Sequence, residues 1–212
     1  MREQINFLLA GVGGQGTILA SDVLVNAGLA AGYQAKQAEV HGMSQRGGSV
    51  ISYVRWGRTV YSPLVGAGEV DVFLAFEKVE AMRYLNRLRP GALALINLET
   101  ILPVSVTGSD QVYPDDARLY AAVAQVTGQA AYIDGPAIAG ELGNSRAANV
   151  VLLGALSRLM EEGGLTGGEL PAEAWLKVIT ERVPAKYAEL NRQAFLLGRE
   201  KSLMGKPFFS SK

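Results

Sequence analysis

The 212-residue chain has no cysteine and a single histidine, His41. Without thiolates it cannot by itself hold an ordinary iron–sulfur cluster, form a disulfide or build a thiolate zinc site. One imidazole excludes a multi-histidine metal centre. Any Ser-His-Asp chemistry has to run through His41, and nothing in the sequence ties Asp71 or Asp134 to it. No G-x-x-x-x-G-K-[ST] segment occurs, which argues against a P-loop nucleotidase. Charge of one sign is not in excess either. The 20 basic residues balance the 20 acidic ones, and no long basic run marks nucleic acid as a partner. No apolar stretch approaches the roughly 18 residues of a membrane span. The apolar run near the N-terminus enters a glycine loop rather than a small-residue cleavage site. These absences predict a soluble cytoplasmic protein with no membrane partner.

What is present points to an α/β domain. Hydrophobic residues make up 49% of the chain, enough for a sizeable core, and glycine is abundant at 25. Short apolar runs at 5–10, 70–76, 92–97 and 130–134, together with the segment 34–40, read as strands. Helical patterns lie between them or follow them, at 15–31, 77–88, 115–125, 146–161, 171–182 and 186–197. Alternation of this kind predicts a Rossmann-like, mostly parallel sheet with helices on both faces and a helical C-terminal part. Runs at 49–56 and 59–62, split by Gly57-Arg58, predict one antiparallel hairpin with a type II′ turn. One domain is expected over residues 1–198, with a polar tail from 199 to 212.

Two glycine loops carry the candidate chemistry. Gly11-Val12-Gly13-Gly14-Gln15-Gly16 matches G-x-G-x-x-G between a predicted strand and a predicted helix. Such a loop turns tightly and aims helix N–H groups at an anion, with Gln15 as a side-chain contact. Glu39 lies 23 residues after Gly16, the spacing of a ribose-binding carboxylate (39 − 16 = 23). The same glycines would equally serve to pack strand against helix. The second loop is Glu39-Val40-His41-Gly42-Met43-Ser44-Gln45-Arg46-Gly47-Gly48. Arg46 suits a bidentate carboxylate or phosphate, or a partner subunit. His41 suits proton transfer, or a plain hydrogen bond with Glu39.

These loops resemble the gamma-type domain of 2-oxoacid:ferredoxin oxidoreductases, which act on pyruvate, 2-ketoisovalerate or indolepyruvate. The likeness continues through Val54-Arg55-Trp56-Gly57, Tyr61-Ser62-Pro63-Leu64 and the segment from Asp71 to Glu77. It extends to Gly143-Asn144, the segment from Asn149 to Leu156 and that from Asn191 to Phe195, covering about residues 4–198. As a separate short chain it most resembles the small beta subunit of the indolepyruvate branch. The resemblance implies a subunit supporting oxidative decarboxylation of a 2-oxo acid to acyl-CoA and CO2 with reduction of ferredoxin. It places thiamine diphosphate, Mg2+ and iron–sulfur clusters on a large partner subunit, makes coenzyme A a co-substrate of the complex, and assigns no catalytic residue here. Gly108-Ser109-Asp110 does not form the Gly-Asp-Gly…Asn pattern of a thiamine diphosphate site. A homodimer is expected for the isolated chain. Two other readings stand beside this one: a stand-alone nucleotide-binding oxidoreductase and a non-catalytic interaction module.

Overall fold

The computed structural model describes residues 3–41, 48–102, 113–166, 168 and 170–204. Gly108-Ser109-Asp110 lies outside these residues. The chain begins with β1 (Gln4–Val12), α1 (Thr17–Ala30), β2 (Gln34–His41) and β3 (Ser49–Gly57). It continues with β4 (Val70–Ala75), α2 (Lys78–Tyr84), β5 (Leu88–Asn97), α3 (Asp116–Ala124) and β6 (Ala130–Ile133). Four helices complete it: α4 (Gly135–Gly140), α5 (Ala148–Glu162), α6 (Ala172–Arg182) and α7 (Ala188–Met204). No described helix is long and apolar enough to cross a membrane.

The six strands form one sheet in the order β2-β3-β1-β4-β5-β6. β1, β4, β5 and β6 pair in parallel. β3 runs antiparallel to both β1 and β2. The mostly parallel α/β sheet with one antiparallel hairpin is therefore present, but β2 and β3 form the hairpin. Residues 59–62 are not a strand. The Val60 N–H instead donates to the Gln34 side chain, and the Arg58 N–H to the Glu3 carbonyl. β3 thus meets β1 and β2 on its two edges, and both of its hydrogen-bonding edges are taken.

The pleat sorts apolar side chains onto two faces. Phe7, Leu9, Val54, Trp56, Val72 and Leu74 point to one face, against residues of α1, α5, α6 and α7. Leu8, Ala10, Ile51, Tyr53, Phe73 and Ala75 point to the other, against α2 and α3. β1 is buried on both sides, which explains its apolar run from Phe7 to Ala10.

Two expected boundaries move. α2 ends at Tyr84 and passes through a single 3₁₀ turn, so the period-three pattern to Leu88 overshoots. β5 starts at Leu88 and contains Pro90 and Gly91, with a register irregularity opposite Val70–Val72. Proline is tolerated there because the ladder is already broken. The expected tail also begins too early. α7 continues to Met204, and Arg199 reaches back to donate to the Ser157 hydroxyl (2.9 Å) and the Glu161 carboxylate (2.6 Å).

α5 and α7 cross with backbones nearly touching. A methyl group on Gly154 would lie 2.0 Å from the Phe195 carbonyl oxygen, and one on Gly198 2.0 Å from that of Val151. Gly154→Ala and Gly198→Ala should each lower stability by about 1–3 kcal/mol or more, since two helices must separate. Gly140→Ala is the control, because its new methyl meets nothing within 4 Å. Urea unfolding of the three variants checks this.

Candidate functional site

The antiparallel placement of β3 brings Gly48, the last residue of the second glycine-rich segment, against the first glycine loop. Ser49 stands opposite Val12 in the ladder, and the Gly13 N–H donates to the Gly48 carbonyl at 3.1 Å. Gly11, Gly13, Gly14, Gln15, Gly16 and Gly48 therefore form one junction at the C-terminal end of β1. This end of the sheet is where chain order switches sides between β1 and β4, the usual position of a ligand crevice in an open α/β sheet.

The first loop is held from within. The Val12 N–H donates to Gln15 Oε1 at 2.7 Å. Gln15 Nε2 donates to the Phe76 carbonyl (2.9 Å) and to Glu99 Oε2 (2.8 Å). Asn97 Nδ2 donates to the same carbonyl (2.9 Å) and to the same carboxylate oxygen (3.2 Å). Asn97 Oδ1 accepts from the Gly135 N–H at 2.9 Å. Two carboxamides thus tie the ends of β1, β4 and β5 to α4. Gly16 has φ +81, and a methyl there would fall 2.3 Å from Asn149 Nδ2. That position combines a left-handed backbone with close approach, so a side chain is excluded twice over.

A cavity of about 600 Å³ opens above this junction, between the loop, Asn97 and Glu99 on one side and Arg146 and Asn149 on the other. A second, of about 370 Å³, shares Arg146 and Asn149 and runs beside Leu19, Tyr187 and Asn191. The first cavity offers both a carboxylate and a guanidinium. The start of α1 has no side-chain cap and no acidic residue in its first turn.

Glu39 does not join the junction. It pairs with Ser52, which in turn pairs with Leu9, so β3 separates it from β1. Two interstrand steps amount to about 10 Å. In a dinucleotide site the acidic residue closes the strand next to β1; here that strand is β3. His41 closes β2, but its side chain lies outside the described part of the structure, as do Gly42, Met43, Ser44, Gln45, Arg46 and Gly47 entirely. Asp71 accepts from the Asn6 N–H (2.8 Å) and from Arg89 (2.6 Å), at the opposite end of the sheet. Asp134 caps α4 through the Ala137 N–H. Neither meets the junction.

The carboxylate after Phe76 also has a structural duty. Glu77 is 1% exposed and caps α2, accepting from the N–H groups of Val79 and Glu80. Its other oxygen takes the Ile101 N–H and the Tyr113 hydroxyl. Burial and the neighbouring Glu77 carboxylate push the Tyr113 phenol well above its ordinary range.

Sequence reasoning passed over Asn97, Glu99, Arg146 and Glu80. Asn97 and Glu99 had a signal, being polar residues at the end of a buried parallel strand, where ligands bind. Glu80 had none, as it reads as an ordinary helix-surface carboxylate. In the structure it is 4% exposed and receives the Ser49 hydroxyl at 2.5 Å. Burial raises its pKa, against the opposing pull of Ser49 and Arg83 and with a smaller push from Glu77.

Known proteins confirm the class. The sequence matches the pyruvate ferredoxin/flavodoxin oxidoreductase family over residues 6–201, and the chain belongs to that family. The indolepyruvate oxidoreductase subunit IorB of Pyrococcus horikoshii is 42% identical over 197 residues, spanning 92% of this chain and 95% of that protein. The gamma subunit of a keto/oxoacid ferredoxin oxidoreductase from Geobacter sulfurreducens superposes with a TM-score of 0.68 at 27% identity. That superposition covers 95% of this chain and 99% of that one. A 2-oxoglutarate:ferredoxin oxidoreductase from Magnetococcus marinus, solved with 2-oxoglutarate, coenzyme A and succinyl-CoA, shares the fold with a TM-score of 0.71 at 21% identity. It covers 96% of this chain but only 32% of its own.

Two outcomes are expected. Gly16→Ala should disrupt the junction, seen as faster exchange of the Gly13 amide and a lowered melting temperature. Glu80 has a folded-state pKa above its unfolded value, so its contribution is fully present below the unfolded value and is lost as pH rises through the folded one. Glu80→Gln lacks this proton. Its melting temperature relative to wild type should therefore climb between acid and neutral pH.

Proposed function

We propose that this chain is the small subunit of a thiamine-dependent 2-oxoacid:ferredoxin oxidoreductase acting on indolepyruvate or another arylpyruvate. The complex would convert the 2-oxo acid and coenzyme A to acyl-CoA and CO2 and pass the electrons to ferredoxin. The observation that carries this reading is the end-to-end match to subunits of that name in a chain with no cysteine. Cluster ligands do not fit here: no thiolate exists, and the described residues contain no group of three side chains suited to a metal ion. Thiamine diphosphate, Mg2+ and the clusters belong on the large subunit in this reading. This chain contributes shape, docking contacts and a wall of the assembled site.

The docking face is the C-terminal end of the sheet. Ile18 is 50% exposed on the first turn of α1, and Leu102 is 53% exposed just beyond the cavity wall at Ile101. Val40 at the end of β2 and Tyr187 beside the second cavity are exposed as well. Apolar groups left in water around a polar cleft favour burial against a partner. In the isolated chain a second copy would compete for the same rim and give a homodimer. The stand-alone nucleotide-binding reading has weaker support, because β3 keeps Glu39 away from the first loop.

Co-expression with the cognate large subunit should yield a stable complex with ferredoxin-linked indolepyruvate oxidation, absent from either chain alone. Failure to associate would refute the reading. Ile18→Asp with Leu102→Asp should weaken association by about tenfold or more while leaving the fold intact by circular dichroism. Titration of the isolated chain with NAD, NADP or flavin should give no binding heat.

A further inference from the structure

Glu80 is a buried carboxylate with no part in the site just described, yet it is bonded to its edge. It lies on α2, on the face of the sheet that carries Leu8 and Tyr53. Its Oε2 accepts the Ser49 hydroxyl at 2.5 Å, and its Oε1 lies 3.2 Å from the half-exposed Arg83 guanidinium. The Tyr84 hydroxyl is 3.0 Å from Ser49 Oγ. Ser49 has one hydroxyl proton and gives it to the carboxylate, so Tyr84 donates to Ser49. Ser49 is the first residue of β3, directly after Gly48, whose carbonyl receives the Gly13 N–H. A chain of four polar contacts therefore links α2 to the first glycine loop: Arg83 to Glu80, Ser49 to Glu80, Tyr84 to Ser49, and Gly13 to Gly48.

We infer that Glu80 is a positioning residue: acting through Ser49, it fixes the start of β3 and with it the Gly13–Gly48 junction. Its desolvation argues for this. Burying a carboxylate is unfavourable, and a helix that needed only surface polarity would leave it in water. Ser49, Arg83 and Tyr84 converge on this group or on its partner, while Glu77, the other carboxylate close by, is committed to the α2 N-terminus. The inference rests on the reading above that the junction faces the large subunit.

The test uses the full chain and the cognate large subunit. Wild type, Glu80→Gln, Glu80→Ala and Ser49→Ala are compared for melting temperature, Gly13 amide exchange, affinity for the large subunit and kcat of the saturated complex. Gln keeps an acceptor for Ser49 and should behave within about twofold of wild type. Glu80→Ala and Ser49→Ala, while still folded, should speed Gly13 exchange and weaken association by about tenfold. Rescue by Gln separates hydrogen-bond positioning from a need for charge. Normal affinity and normal Gly13 exchange in folded Glu80→Ala and Ser49→Ala would overturn the inference, as would a Glu80→Gln defect equal to that of Ala. Absence of binding by wild type would instead overturn the small-subunit reading.

Discussion

The hydrogen bond from the Gly13 N–H to the Gly48 carbonyl is where this structure is decided. It continues the β1–β3 ladder past its last paired residues and joins two segments 35 residues apart in sequence (48 − 13 = 35). For that bond to form, β3 must lie beside β1, which displaces β2 to the edge of the sheet. A Rossmann-like chain has thereby exchanged its usual neighbour for an antiparallel strand. The exchange moves the carboxylate at the end of β2 out of ribose range and puts a second glycine-containing segment next to the first.

Much of the architecture was legible because periodicity reports burial directly. β1 and β4 are central strands covered on both faces, and their apolar runs from Phe7 to Ala10 and from Val72 to Ala75 mark them with little ambiguity. The helix after the first loop also follows from local chemistry, ending at Ala30 close to the expected boundary at residue 31. Strand pairing was not legible. The run at 49–56 forms the expected strand, but the sequence names no partner for it, and the nearby Gly57-Arg58 offers a false local one. The same limit explains Leu88: an apolar residue every third position fits a helix end and a strand start alike.

The candidate site was half legible for a related reason. Glycine loops announce themselves by composition. Residues that complete a site from distant elements do not: Asn97 and Glu99 at the end of β5 and Arg146 before α5 are brought together only by the fold. Asn149 shows the intermediate case. It stood out within the family likeness, yet its physical role appears only when its amide is found over Gly16.

The Gln15 amide leads to a kinetic expectation for assembly. Its oxygen and its nitrogen are both engaged inside the chain, with the Val12 N–H, the Phe76 carbonyl and Glu99. The turn that carries Gln15 is therefore set before any second molecule arrives. An encounter between subunits at this surface does not have to wait for the turn to find its shape. Collision geometry then governs how fast the complex forms, and ordering of the first loop contributes little to the barrier.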